Sequence, residues 1–228
     1  MIGLNKITSQ LKAGNIYINR NQIGAIVGSQ PFGGEGLSGT GPKAGGPNYV
    51  ARFKRWNAQI ATPLGAPSVD QKTAQALLDT VASRKTAKLG TIDLPGPTGE
   101  SNRLSEYGRG VVLCLGPTAE QAVAQAKTAQ ENGCVPVVVA EGYRGDNGIA
   151  GLLDRNALAD LSGFDLAALW SDASDLRTAR VALAKRAGAL IGLAAEQDLA
   201  ARCRLERHVC IDTTASGGNA SLLAAVSH

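Results

Sequence analysis

The run from Gly24 to Pro47, GAIVGSQPFGGEGLSGTGPKAGGP, is the stretch whose composition and spacing bear most directly on chemistry. Glycine loses extra backbone entropy on ordering and proline lacks a donor, so neither a regular helix nor a central strand forms there. It is a loop, and a loop this long inside a compact protein is usually functional or disordered. Phe32 and Leu37 among the glycines favour function. Backbone N–H groups uncovered by side chains can cradle an anion, which leaves three chemistries to compare.

A phosphate-cradling P-loop needs Gly-Lys-Ser/Thr entering a helix, but Pro42 separates Gly41 from Lys43 and no hydroxyl follows the lysine. A dinucleotide fingerprint needs G-x-G-x-x-G; after Gly39-Thr40-Gly41 the next glycine, Gly45, falls one residue too far on, and no acidic residue ends a following strand. The third possibility is a substrate loop whose N–H groups and aromatic ring face a small acid.

Cys114, Cys134, Cys203 and Cys210 form no C-x-x-C pair and are too few for a disulfide framework, so they are expected to be reduced thiols. Cys203, His208 and Cys210 lie close in sequence, but a fourth ligand at zinc-like spacing is missing, and no metal is expected. Cys114 and Cys134 fall in apolar segments, where a buried thiol is expected to be inert.

The net charge is +4, and residues 51–90 carry seven basic against two acidic side chains. Arg52-Phe53-Lys54-Arg55-Trp56 mixes bases and an aromatic pair as single-strand binders do, yet a solvated surface is the stronger expectation, and nucleic acid is the alternative partner. No apolar run of membrane-spanning length and no charged, then apolar, leader is present, so a soluble cytoplasmic protein is expected.

These residues need elements to position them. Leu4, Ile7 and Leu11 predict the end of a helix over 4–12 closed by Gly14, and Asn15–Asn19 alternates as a strand. After the loop, Tyr49, Val50, Phe53 and Trp56 predict a short helix over 48–56. One helix end, one strand and a loop enclose no core of their own, so this piece is expected to continue a larger chain upstream of Met1.

Pro63, Gly65 and Pro67 mark the boundary, and Ser68 with Gln71 reads as a capping box before a helix bearing Ala74, Leu77, Leu78 and Val81. Residues 91–99 read as a second break. From Gly110 strands and helices alternate: strands at 111–115, 135–140, 164–170 and 189–194, and helices after the Thr118/Gln121 capping box, over 152–161 and over 176–187. Ala122, Val123, Ala126 and Ala129 are expected to pack, and Gly133 to end its helix. This predicts an α/β fold with a parallel sheet. The tail adds a strand over 206–214, a turn, and an apolar terminus (Leu222, Leu223, Val226) expected to dock. The implied domains are 1–60, 61–100 (linker and helix) and 101–228.

Gly14-Asn15-Ile16-Tyr17-Ile18-Asn19-Arg20-Asn21, Gly24-Ala25-Ile26-Val27-Gly28 and Pro31-Phe32-Gly33-Gly34 through Gly46-Pro47 resemble the C-terminal end of an aldehyde dehydrogenase. More narrowly, they are similar to the L-glutamate γ-semialdehyde (Δ1-pyrroline-5-carboxylate) dehydrogenase of the bifunctional proline-catabolic family proline utilization A, over roughly residues 4–56. Gly99–Leu104 and Thr213–Ser221 resemble, more loosely, the extra C-terminal domain of that family's long members.

The resemblance implies a Rossmann-like, non-catalytic domain that covers the tunnel between a proline dehydrogenase and an aldehyde dehydrogenase site, preceded by an incomplete piece of an aldehyde dehydrogenase catalytic domain. It implies that Gly24 and Ala25 anchor the substrate carboxylate through backbone N–H groups and that Phe32 lines the aldehyde pocket. For Gly24 and Ala25 an ordinary turn stays open, and for Phe32 plain core packing. The family's catalytic cysteine and glutamate and its main NAD fold lie upstream, so this piece holds no catalytic or cofactor-binding residue and is expected to be inactive alone; NAD and FAD belong to the whole enzyme. Its implied partners are the upstream domains and L-glutamate γ-semialdehyde. Homo-oligomer formation stays open, and any peripheral membrane association belongs to the whole enzyme only. Without the upstream domains the loop is expected to be poorly ordered or held by other contacts.

Overall fold

A computed structural model describes residues 7, 8, 10–22, 25–54, 61, 65–195 and 198–213. The chain forms two compact units, one of Met1–Lys54, Gly90–Glu106 and Glu206–His228, the other of Arg55–Leu89 and Tyr107–Leu205.

In the second unit the expected parallel sheet is present. Its strands are β4 (Val111–Cys114), β5 (Val135–Ala140), β6 (Gly148–Ala150), β7 (Leu166–Ala168) and β8 (Gly192–Ala194), in the order β6-β5-β4-β7-β8 with every pair parallel. All four β4 residues are buried, as a continuously apolar strand in a covered parallel sheet must be. Side chains alternate across it. Val111 and Leu113 face a core built with α1 (Gln71–Asp79), a 3-10 helix (Arg155–Ala159) and α3 (Ala173–Ala184). Val112 and Cys114 face a second core with α2 (Ala119–Glu131) and α4 (Leu199–Arg202).

Several boundaries differ from the sequence expectation, each for a local reason. The Ser68/Gln71 capping box does not form: the Ser68 hydroxyl accepts from the Leu152 N–H (3.0 Å), Val69 bridges Leu153, and Asp70 caps α1 by accepting from the Thr73 N–H (2.8 Å). Asp70→Ala is therefore expected to destabilise α1, read as a lower urea midpoint. The same bridge holds Leu153 extended, so the helix expected over 152–161 shrinks to the 3-10 turn, with β6 before it. Asp172 caps α3 at Ser174 and Asp175, starting it three residues early.

The Thr118/Gln121 capping box forms as expected, and Gly133 follows α2 with φ +71°. Within α2, however, Val123 is 51% exposed and Gln125 is buried in its stead. The strands expected over 164–170 and 189–194 are confined to β7 and β8, and the α4 turn went unforeseen.

The first unit is built on a sheet of order β1-β9-β3-β2, with β1 at Asn15–Ile18, β2 at Lys88–Leu94, β3 at Glu100–Gly108 and β9 at Arg204–Asp212. Residues 91–94, read as part of a break, belong to β2; its side chains are nearly all exposed, so pairing with β3 and not an apolar pattern defines it. Strand β1 lies parallel to β9, with Asn15 opposite His208 and Tyr17 opposite Cys210. The helix expected over 48–56 is a single 3-10 turn, Val50–Phe53, with both end residues exposed. Leu4, Gly24, Arg55, Trp56 and the tail 214–228 lie outside the described residues.

Candidate functional site

The loop of the first unit follows a defined path from Ala25 to Pro47, and its anchor is Asn15, the first residue of β1. The Asn15 amide donates to the Pro31 carbonyl (2.8 Å), while its Oδ1 accepts from the Gly33 N–H (3.0 Å) and the Lys43 ammonium (3.0 Å). It thus grips the residues on either side of Phe32. Phe32 itself exchanges both backbone hydrogen bonds with Ala44 (3.0 and 2.8 Å). The backbone at Phe32 is fixed, and its side chain is 52% exposed, so it is not a core residue of this unit.

Strand β9 completes the frame. Glu206 accepts from the Lys43 N–H (2.7 Å) and the Asn48 amide (2.7 Å), and Arg207 makes a two-pronged pair with Glu35 (2.9 and 3.0 Å). Lys43 is almost wholly buried, and its ammonium also donates to the Gly33 carbonyl. Burial pushes its pKa down to about 8, with Glu206 and Glu35 pulling the other way.

His208 is fully buried, its Nδ1 facing the Asn15 amide at 3.4 Å and its Nε2 without a hydrogen-bond partner among the described residues. Burial, and after it the charge on Lys43, lower its pKa to about 4. Glu100 on β3 accepts from Arg20, Gln30 and Asn102. Burial raises its carboxyl, but these three bonds outweigh it and hold the pKa below the usual value.

At the loop's start Ile26 accepts from the Ser29 and Gln30 N–H groups (3.2 and 2.8 Å), closing a turn that Gly28 completes with φ +84°. Ala25 is exposed, and among the described residues nothing accepts from the N–H of Ala25, Ile26 or Val27. Gly24 is outside the described residues. Sequence reasoning missed Asn15, Lys43, Glu206 and His208 as the frame. The signals were a lone lysine in a glycine-rich loop, and Glu206 and His208 at the two-residue spacing that gives one strand face.

The other sequence candidates separate. Cys203 belongs to the second unit and His208 and Cys210 to the first; among the described residues no group of three or more His, Cys, Asp or Glu is placed to hold a metal. The basic run 51–90 is likewise divided between the units. Among the described residues no helix is long and apolar enough to cross a membrane.

In the second unit the strand order reverses between β4 and β7, the place where a doubly wound sheet receives a ligand. Dinucleotide binding there uses the free N–H groups of a glycine turn and a helix N-terminus. Here the Gly116 N–H donates to Gln125 Oε1 (3.1 Å), and its carbonyl accepts from Gln125 Nε2 (3.1 Å) and the Trp170 N–H (2.9 Å). The capping box closes the start of α2, and Glu120 adds a negative charge to its first turn. A pyrophosphate does not fit these residues.

A profile of the aldehyde dehydrogenase family matches residues 3–58. The chain is 35% identical to the bifunctional protein PutA of Salmonella typhimurium, over 96% of this chain and 19% of that protein. Over 26% of this chain and 11% of the relative, it is 49% identical to a 1-pyrroline-5-carboxylate dehydrogenase of Oceanobacillus iheyensis. The solved structure of PutA from Corynebacterium freiburgense covers 92% of this chain, and 21% of that structure is covered in turn, with a TM-score of 0.50 at 21% identity, a likeness of fold. The chain spans about a fifth of the length of the Salmonella relative.

Proposed function

The chain is homologous to the bifunctional PutA proteins along 96% of its length, and on that premise we propose that it is the C-terminal segment of a proline-catabolic oxidoreductase. Its first unit supplies one wall of the pocket for L-glutamate γ-semialdehyde, and its second unit is a non-catalytic cover over the path of the intermediate. The whole enzyme carries NAD and FAD on upstream domains and works in the cytoplasm; the segment alone does not turn over.

The observation that carries this reading is Phe32, a residue whose backbone is pinned on both sides while half of its side chain stays exposed. A rigid loop offering an aromatic ring and unpaired N–H groups suits an amino-acid aldehyde. The N–H groups at Gly24 and Ala25 hold the α-carboxylate, and the ring covers the apolar carbons leading to the aldehyde. In the whole enzyme a nicotinamide held by upstream domains would supply the hydride acceptor and water the second carboxylate oxygen, while this segment would only hold and orient the substrate. All four cysteines here are buried, so no thiol of this segment is offered as the nucleophile. At the switch point the Gly116 N–H is already taken by Gln125, which suits a domain that does not bind a dinucleotide.

Ala25→Pro in the whole polypeptide removes one charge-assisted hydrogen bond of about 1.5–3 kcal/mol. KM for glutamate semialdehyde is expected to rise about ten- to hundredfold, while KM for a similar aldehyde without the carboxylate stays unchanged. Equal changes for both substrates, or none for either, would overturn the anchoring role. The nucleic-acid alternative is disfavoured because its cations do not form one continuous patch on one unit.

A further inference from the structure

Glycine directly follows asparagine at Asn132-Gly133 and at Asn147-Gly148, and both pairs lie in the second unit. Such a pair has a reactivity of its own: the glycine nitrogen, which no side chain shields, attacks the asparagine side-chain amide when the two groups are free to meet. The fold treats the two pairs oppositely.

Asn132 follows α2 and is only 8% exposed. Its amide nitrogen donates to the Thr128 carbonyl (2.8 Å), and its Oδ1 accepts from the Arg204 guanidinium (3.1 Å). The Gly133 N–H donates to the Gln130 carbonyl (3.0 Å). Both reacting groups are therefore engaged elsewhere.

Asn147 lies in the turn before β6 and is exposed, and among the described residues its side chain makes no hydrogen bond. Its carbonyl accepts from the Val138 N–H (3.0 Å), and Val138 stands opposite Gly148 in the parallel ladder. That register directs the Ile149 N–H toward β5 and turns the Gly148 N–H away from it, to the side on which β6, the last strand of its sheet, has no neighbouring strand. Packing also demands glycine here: a Cβ on Gly148 would run into the Tyr143 ring and the Val138 carbonyl. An unhindered nitrogen is thus held next to an unheld amide.

The geometry points to Asn147 as a site of spontaneous deamidation through a succinimide, with Asn132 protected by its hydrogen bonds.

The Gly148 nitrogen attacks Asn147 Cγ and gives up its proton, the bond from Cγ to Nδ2 breaks, and ammonia leaves. Water then opens the ring. Attack at Cγ restores the ordinary backbone and leaves aspartate; attack at the main-chain carbonyl carbon leaves isoaspartate, whose backbone runs through the side-chain carbons. One water is taken up and one ammonia released, with no oxidation or reduction. The isoaspartyl form lengthens the chain at the entrance to β6 and converts the carbonyl that accepts from Val138 into a free carboxylate, so the pairing of β6 with β5 is what it disturbs.

The test incubates the whole chain in mildly alkaline buffer at physiological temperature, once native and once in urea, and maps its peptides over time. Cleavage after Arg144 separates the two asparagines. In the native chain a gain of about 1 Da is expected on the peptide bearing Asn147. The Asn132 peptide is expected to convert at least about tenfold more slowly, because its hydrogen bonds must open first. A carboxyl methyltransferase specific for isoaspartyl residues, supplied with S-adenosylmethionine, is expected to label the Asn147 peptide. In urea both peptides are expected to convert at similar rates, which assigns the contrast to the fold. Asn147→Gln, a change at an exposed side chain, is expected to abolish the native gain at that peptide. An unchanged mass at Asn147 in the native chain, conversion of Asn132 as fast as Asn147, or a contrast that persists in urea would each overturn the assignment. The wild-type maps decide the matter without the variant.

Discussion

Gly14→Ala is expected to cost about 3 kcal/mol and to undo the loop frame, because a Cβ at this position has no room. It would stand 2.1 Å from the Gly33 carbonyl oxygen and 2.9 Å from the Lys43 ammonium. The first obstacle is backbone and cannot rotate away. The Gly14 carbonyl also accepts from the His208 N–H (2.9 Å), so the residue is held on its β9 side as it is crowded on its loop side. Relief has to come from moving Gly33, and with it the bonds from Asn15 that fix Phe32. Urea unfolding measures the cost, and faster hydrogen exchange at the Gly33 N–H reports the displacement. Wild-type values for both would show that the loop accommodates a side chain there.

Acidification is expected to unfold the chain early through His208. The folded pKa, near 4, lies below the ordinary 6.5, so between these values the unfolded chain binds the proton that the folded chain refuses. Stability is then complete above pH 6.5 and falls as pH drops toward 4, by about 3 kcal/mol for this group. His208→Gln, which carries no titrating group, is expected to flatten that slope in denaturation series run from pH 7 to pH 4. A slope identical to wild type would assign the acid sensitivity to carboxylates. Lys43 acts at the other end: its folded pKa near 8 lies below 10.5, so the neutral form is favoured on folding and stability rises through that window.

The second unit was legible in the sequence wherever a pattern had a single physical cause. Val111–Cys114 is apolar at every position because both faces are covered, and Thr118 with Gln121 satisfies two donors that any helix start leaves open. Boundaries failed where a long-range partner took over a local signal. Ser68 has the residue type and spacing of a cap, but Leu152 claims its hydroxyl. Val123 lies on an apolar arc, but the Gly116 turn requires the Gln125 amide on the buried side.

In the first unit the stretch from Gly24 to Pro47 was legible as a loop from its glycine and proline content, while the roles given to Gly24, Ala25 and Phe32 come from a resemblance alone. Asn15, Lys43, Glu206 and His208 act by meeting across the chain, and nothing within a short window shows that Lys43 and Glu206 are partners. Strand β2 has almost no buried side chain, so its backbone pairing left no hydrophobic trace.

The separation of Lys43 from Glu206, 163 residues along the chain, sets an order of events during synthesis. At roughly 5–20 residues per second, the loop leaves the ribosome roughly ten to thirty seconds before the strand that frames it. Through that interval the first unit lacks β9, while the segments of the second unit emerge and can pack among themselves. The frame around the loop is therefore expected to close last, by a slow, long-range contact.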